Sequence, residues 1–241
     1  MIPTNVLQQA RELNKSQTKD YECKYCSKKF AKESTLLSHM CEKKRRWLQE
    51  KEIGVQLALQ AFVRFYELTS TGATKTYADF VQSPYYNAFV KFGRYAHHLR
   101  AVNYRHFVDY LLKKQIKLDH WCRDQHYEDY LQDYLRKEHV QDALERSIKT
   151  MTEWSEETGA EFNHYFLYAS SNRVVRDITN GRISPWCVYN TNSGIDFLDK
   201  CTAEQINLMF SIIDPDFWQK HFAKHLDDVD FVKAVLKEAG I

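Results

Sequence analysis

The segment YECKYCSKKFAKESTLLSHMCEKKRRW, residues 21–47, decides how this chain is read. Two residues separate Cys23 from Cys26, a spacing at which one tight turn presents two thiolates to a single tetrahedral Zn²⁺. Twelve residues then intervene before His39, and Cys41 follows only two positions after it. Residues two apart on an α-helix point about 200° apart, so His39 and Cys41 cannot both ligate from a regular helix. A helix that carries His39 must stop or tighten there and let Cys41 swing in from an irregular turn. Glu42 or a His elsewhere is the alternative fourth ligand. Cys41 is favoured because thiolate is a strong Zn²⁺ ligand and no further Cys occurs before Cys122.

The Cys pair and His39, with Phe30 and Leu36 between them, resemble a C2H2-type zinc finger in a C2HC variant. The resemblance covers residues 21–41, less than a tenth of the chain. It implies strands around Tyr21–Cys23 and Ser27–Phe30, then a helix from about Lys32, with Phe30 and Leu36 as the small apolar core. It also places the family's base-reading positions on Lys32, Thr35 and Ser38, and a finger of this kind addresses about three base pairs. With so little apolar core, such a module is expected to fold only around its metal.

Charge supports an acidic partner for the same region. Residues 1–50 carry 11 Lys/Arg against 6 Asp/Glu, whereas the remaining residues carry 23 against 26. The excess gathers at Lys43, Lys44, Arg45 and Arg46, where phosphate contacts would add salt-sensitive, sequence-independent binding.

Beyond the finger the pattern is helical. Ile53, Leu57, Ala61, Phe62 and Phe65 recur at spacings of three and four, and Tyr85, Phe89, Phe92 and Ala96 repeat the pattern after Ser83-Pro84. Phe107, Tyr110 and Leu111 follow a capping Asn103. Tyr127, Leu131, Tyr134 and Leu135 face inward, and Phe162, Tyr165, Phe166, Tyr168 and Ala169 form the next apolar set. Thr202 and Gln205 fit a capping box, and Asp214-Pro215 starts a further helix. Residues 180–194, NGRISPWCVYNTNSG, read as the one long break. The expected fold is therefore mainly α: a polar lead-in (1–20), a ββα zinc finger (21–42), a basic connector (43–51) and an irregular all-α domain (52–241).

No constellation of catalytic residues emerges, and the chain is expected not to be an enzyme. It has no Gly-rich phosphate loop, HExxH or Gly-x-Ser-x-Gly. His97-His98 face different directions on a helix. Asp119, His120, Asp124, His126, Glu128 and Asp129 are metal-type residues but read as a helix boundary and an exposed face. Cys122, Cys187 and Cys201 read as small apolar residues.

No run of about 18 apolar residues spans a membrane. The first 20 residues lack an apolar segment, so a cytoplasm with reduced thiols is expected. The runs CEKKRRW, ALQAFVRFYEL, YYNAFVKFGRYA and ISPWCVYN resemble uncharacterised proteins of large tailed phages, which implies the host cytoplasm. The expected function is zinc-dependent binding of nucleic acid, DNA foremost, in DNA metabolism or transcription, with a protein partner on the helical domain. The alternative is a zinc-stabilised protein adaptor or a phage structural component.

Overall fold

The computed structural model describes residues 20–241, and the lead-in expected for 1–20 lies outside them but for Asp20. The described chain is mainly α with a small ββα start. It divides into two compact units, residues 20–94 and 95–241.

The first unit opens with strands β1 (Tyr21–Glu22) and β2 (Lys29–Phe30), antiparallel with Tyr21 opposite Phe30. Helices α1 (Glu33–Ser38), α2 (Glu42–Leu48), α3 (Ile53–Thr69) and α4 (Tyr77–Gln82) follow, and the unit ends within α5 (Tyr86–Leu99). Thr76 and Asp79 form a reciprocal capping box that fixes the start of α4. Packing behind α3 is aromatic: Phe62 meets Phe80 at 5.0 Å and Phe89 at 5.5 Å between ring centroids, and Phe80 meets Tyr86 at 4.6 Å. Such pairs add roughly 0.5–1.5 kcal/mol each beyond their buried area. Helices α3 and α5 touch backbone to backbone. A Cβ on Gly93 would lie 2.1 Å from the Gly54 carbonyl oxygen and 2.6 Å from the Ala58 nitrogen.

The second unit continues with α6 (Tyr104–Lys113), α7 (Asp124–Leu135) and α8 (Val140–Thr158). Asn103 caps α6 through its side chain, and α8 ends on Gly159 at φ 75°, a left-handed position that favours glycine. The short α9 (Tyr165–Tyr168) precedes α10 (Ser171–Thr179), α11 (Pro185–Tyr189) and α12 (Asn192–Lys200). The chain closes with α13 (Ala203–Ile213), α14 (Pro215–Lys224) and α15 (Leu226–Glu238). The capping box at Thr202 and Gln205 and the start at Asp214-Pro215 both form as the sequence predicts.

Three departures follow from packing. The expected break at 180–194 contains α11, because Ser184 accepts the Trp186 N–H and Pro185 occupies the first turn, burying Trp186, Cys187 and Val188. Ile53, Tyr85 and Tyr168 were expected on apolar faces but are 60, 55 and 69% exposed. Ile53 and Tyr168 end their helices and Tyr85 precedes one, so each stands beyond the neighbour that covers the rest of its face. Of the three isolated cysteines only Cys187 is fully buried, and burial pushes its thiol up to about 11.

Buried charge in this unit is paired. The Glu138 carboxylate, fully buried, receives both arms of Arg146 at 2.6 and 2.8 Å and the Ser184 hydroxyl at 3.3 Å. Burial raises the Glu138 carboxyl above the ordinary carboxylate range despite that pairing. No helix among the described residues is long and apolar enough to cross a membrane.

Candidate metal centre

Cys23 follows β1 and donates its backbone N–H to Lys28 at 2.9 Å, while Ser27, at φ 58°, returns its own N–H to the Cys23 carbonyl at 2.8 Å. This tight turn holds Cys26 beside Cys23. On the other side, α1 ends at Ser38, and His39 donates its backbone N–H to the Leu36 carbonyl with φ −69° and ψ 122°. The chain leaves the helix there in extended conformation. Cys41 (φ −84°, ψ 164°) is likewise extended and caps α2. The interruption that the two-residue spacing demands is present at His39.

These turns bring four ligand atoms together: one from each of Cys23, Cys26, His39 and Cys41, all within 4.8 Å of one another. The Cys23 and Cys41 sulfurs are 4.0 Å apart, and Cys26 Sγ is 3.4 Å from His39 Nε2. Tetrahedral Zn–S and Zn–N bonds of about 2.3 and 2.05 Å require edges of about 3.8 Å for S···S and about 3.6 Å for S···N. Both observed edges match this to within about 0.2 Å, so the donor set fits a tetrahedral, thiolate-rich ion. The Tyr25 backbone N–H, against the opposing effect of burial, holds the Cys23 thiol below its ordinary value. At Cys26 the Lys28 backbone N–H acts in the same sense, but burial and the neighbouring thiols outweigh it and the thiol is raised.

Little else holds this module together. Neither α1 nor α2 buries a residue completely, and Phe30 and Leu36 are only half-buried. Phe30 packs its ring 4.7 Å from the His39 ring, while Leu37 and Met40 are 73 and 58% exposed. Glu42, the alternative fourth ligand, is turned to Arg46 at 2.5 Å and stands outside the cluster.

The basic residues divide into two groups. Lys32, the extended residue before α1, and Thr35 and Ser38 on it are exposed, and Arg45 is exposed on α2 with Lys43 half-buried. Lys44 donates its ammonium to the His39 carbonyl at 3.1 Å. Arg46 is turned inward: its guanidinium bonds the Val81 and Ser83 carbonyls at 2.7 and 3.2 Å and lies 4.5 Å from the Tyr86 ring centroid. Its own carbonyl accepts the Tyr77 hydroxyl at 2.6 Å. Sequence reasoning missed this role because the partners lie more than 30 residues away.

Among the described residues no second group of His, Cys, Asp or Glu ligand atoms gathers in this way. Asp119, Asp124, Glu128 and Asp129 are exposed; Asp124 accepts the Tyr95 hydroxyl at 2.9 Å and Asp129 the Gln125 amide at 2.9 Å. His97 and His98 are exposed at the end of α5. Compared with protein-family profiles, with curated proteins and with solved structures, the chain matches none.

Proposed function

We propose that Cys23, Cys26, His39 and Cys41 bind one Zn²⁺ and that the finger so formed engages nucleic acid, DNA foremost, as an accessory factor in DNA metabolism or transcription. The match of the two ligand edges to a tetrahedral ion supports the first half of this reading. The observation that carries the second half is the common exposure of Lys32, just before α1, and of Thr35 and Ser38 on it, beside the basic α2. Lys32 would address guanine acceptors or phosphate, and Lys43 and Arg45 would add phosphate contacts. Arg46 supplies structure instead, since its guanidinium is already engaged.

The test is a gel-retardation titration of the intact zinc-loaded chain on duplex DNA and on RNA over a range of salt. Lys43→Gln with Arg45→Gln should lower the slope of log K against log salt on B-DNA by about 2, one unit per lost phosphate contact. An unchanged slope, or no retarded complex at any salt, would sink the nucleic-acid reading.

A second reading has its own observation. Leu37 and Met40 expose apolar surface on and beside α1, which suits a finger that grips a protein. A stoichiometric protein recovered from cells after nuclease treatment, and lost in Leu37→Ser, would favour it.

A further inference from the structure

The second unit concentrates arginine around one buried carboxylate. Asp177, 1% exposed on α10, accepts the Tyr165 hydroxyl and Arg173 Nε at 2.8 Å each, and Arg182 Nη1 at 3.5 Å. Arg173 extends another arm to Glu157 at 2.8 Å, and Arg182 and Arg100 both meet Glu153. Arg176 comes no nearer than 3.9 Å to Asp177 and is 59% exposed. These four arginines line or border a cavity of about 360 Å³. Against their four positive charges stand the three carboxylates of Glu153, Glu157 and Asp177, so one positive charge is left over.

Three features suit this cavity to a phosphate. A guanidinium offers five donors in a rigid fork, so one or two carboxylate contacts leave donors to spare. Glu157 is half exposed, and an ion pair with so wet a carboxylate gives way to a competing anion at small cost. Arg100 is held at φ 51°, a left-handed conformation in which glycine would be less strained, yet a long cationic side chain stands there.

A second cavity, of about 480 Å³, adjoins the first and shares Arg173 and Arg176 with it. Its wall includes Tyr168, a large aromatic ring that is 69% exposed, together with Ser170 and Asn172. An exposed ring beside an arginine-lined cavity is the arrangement by which proteins stack a base while holding its phosphate.

We propose that this paired cavity binds a nucleotide. Arg100, Arg173, Arg176 and Arg182 grip the phosphate, and Tyr168 stacks the base. The site is separate from the finger and does not rest on its metal. The same chemistry is offered by a free nucleotide and by one residue of a single strand.

The test titrates the full-length zinc-loaded chain with inorganic phosphate, adenosine, adenosine 5′-monophosphate and a ten-residue oligothymidylate. The monophosphate should bind saturably and at least about tenfold more tightly than phosphate or adenosine alone. Arg176→Gln should weaken phosphate and monophosphate by about tenfold, the loss of one charge-assisted contact. Tyr168→Ala should weaken the monophosphate by about fivefold or more and leave phosphate unchanged. Both side chains are exposed, and circular dichroism checks that both variants fold. An oligomer that outbinds the monophosphate identifies a strand, and the reverse identifies a free nucleotide. Lys43→Gln with Arg45→Gln should bind the monophosphate as the parent does, which keeps failure of the finger reading distinct. No saturable binding of the monophosphate, affinity no better than that of phosphate, or parental affinity in both Arg176→Gln and Tyr168→Ala overturns the proposal.

Discussion

Arg46 shows how far a residue's part in a fold can lie from its appearance in a sequence. In KKRR it is one cation among four, yet its guanidinium satisfies two carbonyls at the end of α4 and lies over the Tyr86 ring. Arg46→Ala would leave those carbonyls short of a donor and should cost about 1.5–3 kcal/mol, the range for hydrogen bonds to a charged group. Urea unfolding followed by Trp47, the one tryptophan in residues 20–94, should show it. Arg45→Ala, exposed one position earlier, should leave the unfolding free energy within about 0.5 kcal/mol. His221 makes a pH prediction. Burial first, then His225, holds its imidazole below the usual 6.5, with Lys224 acting in the same sense and Asp228 against it. A depressed histidine favours the folded state while neutral, so its contribution is present above the ordinary value and is lost as pH falls through it. Stability should decline on acidification from pH 7 to 5.5, and His221→Phe, set among Phe217, Trp218 and Trp186, should flatten the decline.

At the scale of elements, local signals were the legible ones. Ser, Thr, Asn and Asp caps, the two helix-starting prolines and the three-and-four spacing each act within a turn or two, and they placed α6, α13 and α14. The same signals occur at Ser184-Pro185, but the surrounding Asn, Ser and Gly carry the pattern of a break and hide α11. Which helices touch was not legible, because it depends on residues distant in sequence. Gly93 is an example: within α5 it looks like a mild flaw, but it lets the backbone of α3 approach. Gly93→Ala would force the two backbones apart, since the obstructing atoms are a carbonyl oxygen and a main-chain nitrogen rather than a flexible side chain. The expected loss is about 3 kcal/mol, at the upper end for overpacking. A thermal melt distinguishes this from Gly72→Ala, whose Cβ meets nothing closer than 3.7 Å and which should melt like the parent.

For the molecule as a whole, the Cys/His cluster was legible but for the choice of its fourth member, and the arginine cavity was not. Cys23, Cys26, His39 and Cys41 lie within 19 residues, so tetrahedral geometry constrains them directly. Arg173 and Arg176 stand on α10, Arg100 just beyond the end of α5 and Arg182 in the turn after α10, and only the Arg173–Asp177 pair at four-residue spacing could have hinted at them. The uneven distribution of burial also sets what metal removal should do. The finger has Cys23 as its one fully buried residue between positions 20 and 48, whereas the second unit buries Trp121, Met151, Trp186 and Trp218. A strong chelator should therefore expose the lysines of residues 24–32 to trypsin while tryptophan fluorescence of the second unit stays unchanged. Equal cleavage of that segment with and without chelator would count against metal-dependent folding.

Cys41 has two duties at once. Its sulfur belongs to the ligand cluster and also accepts the Lys44 N–H at 3.4 Å as the cap of α2. Metal occupancy and the ordering of that basic helix thus draw on one atom, and two equilibria that share an atom are thermodynamically linked. If polyanion binding orders α2, it must raise the affinity for the metal by the same factor by which the metal raises the affinity for the polyanion. The finger would then act as a reciprocal coupler, holding its ion most tightly while its partner is bound.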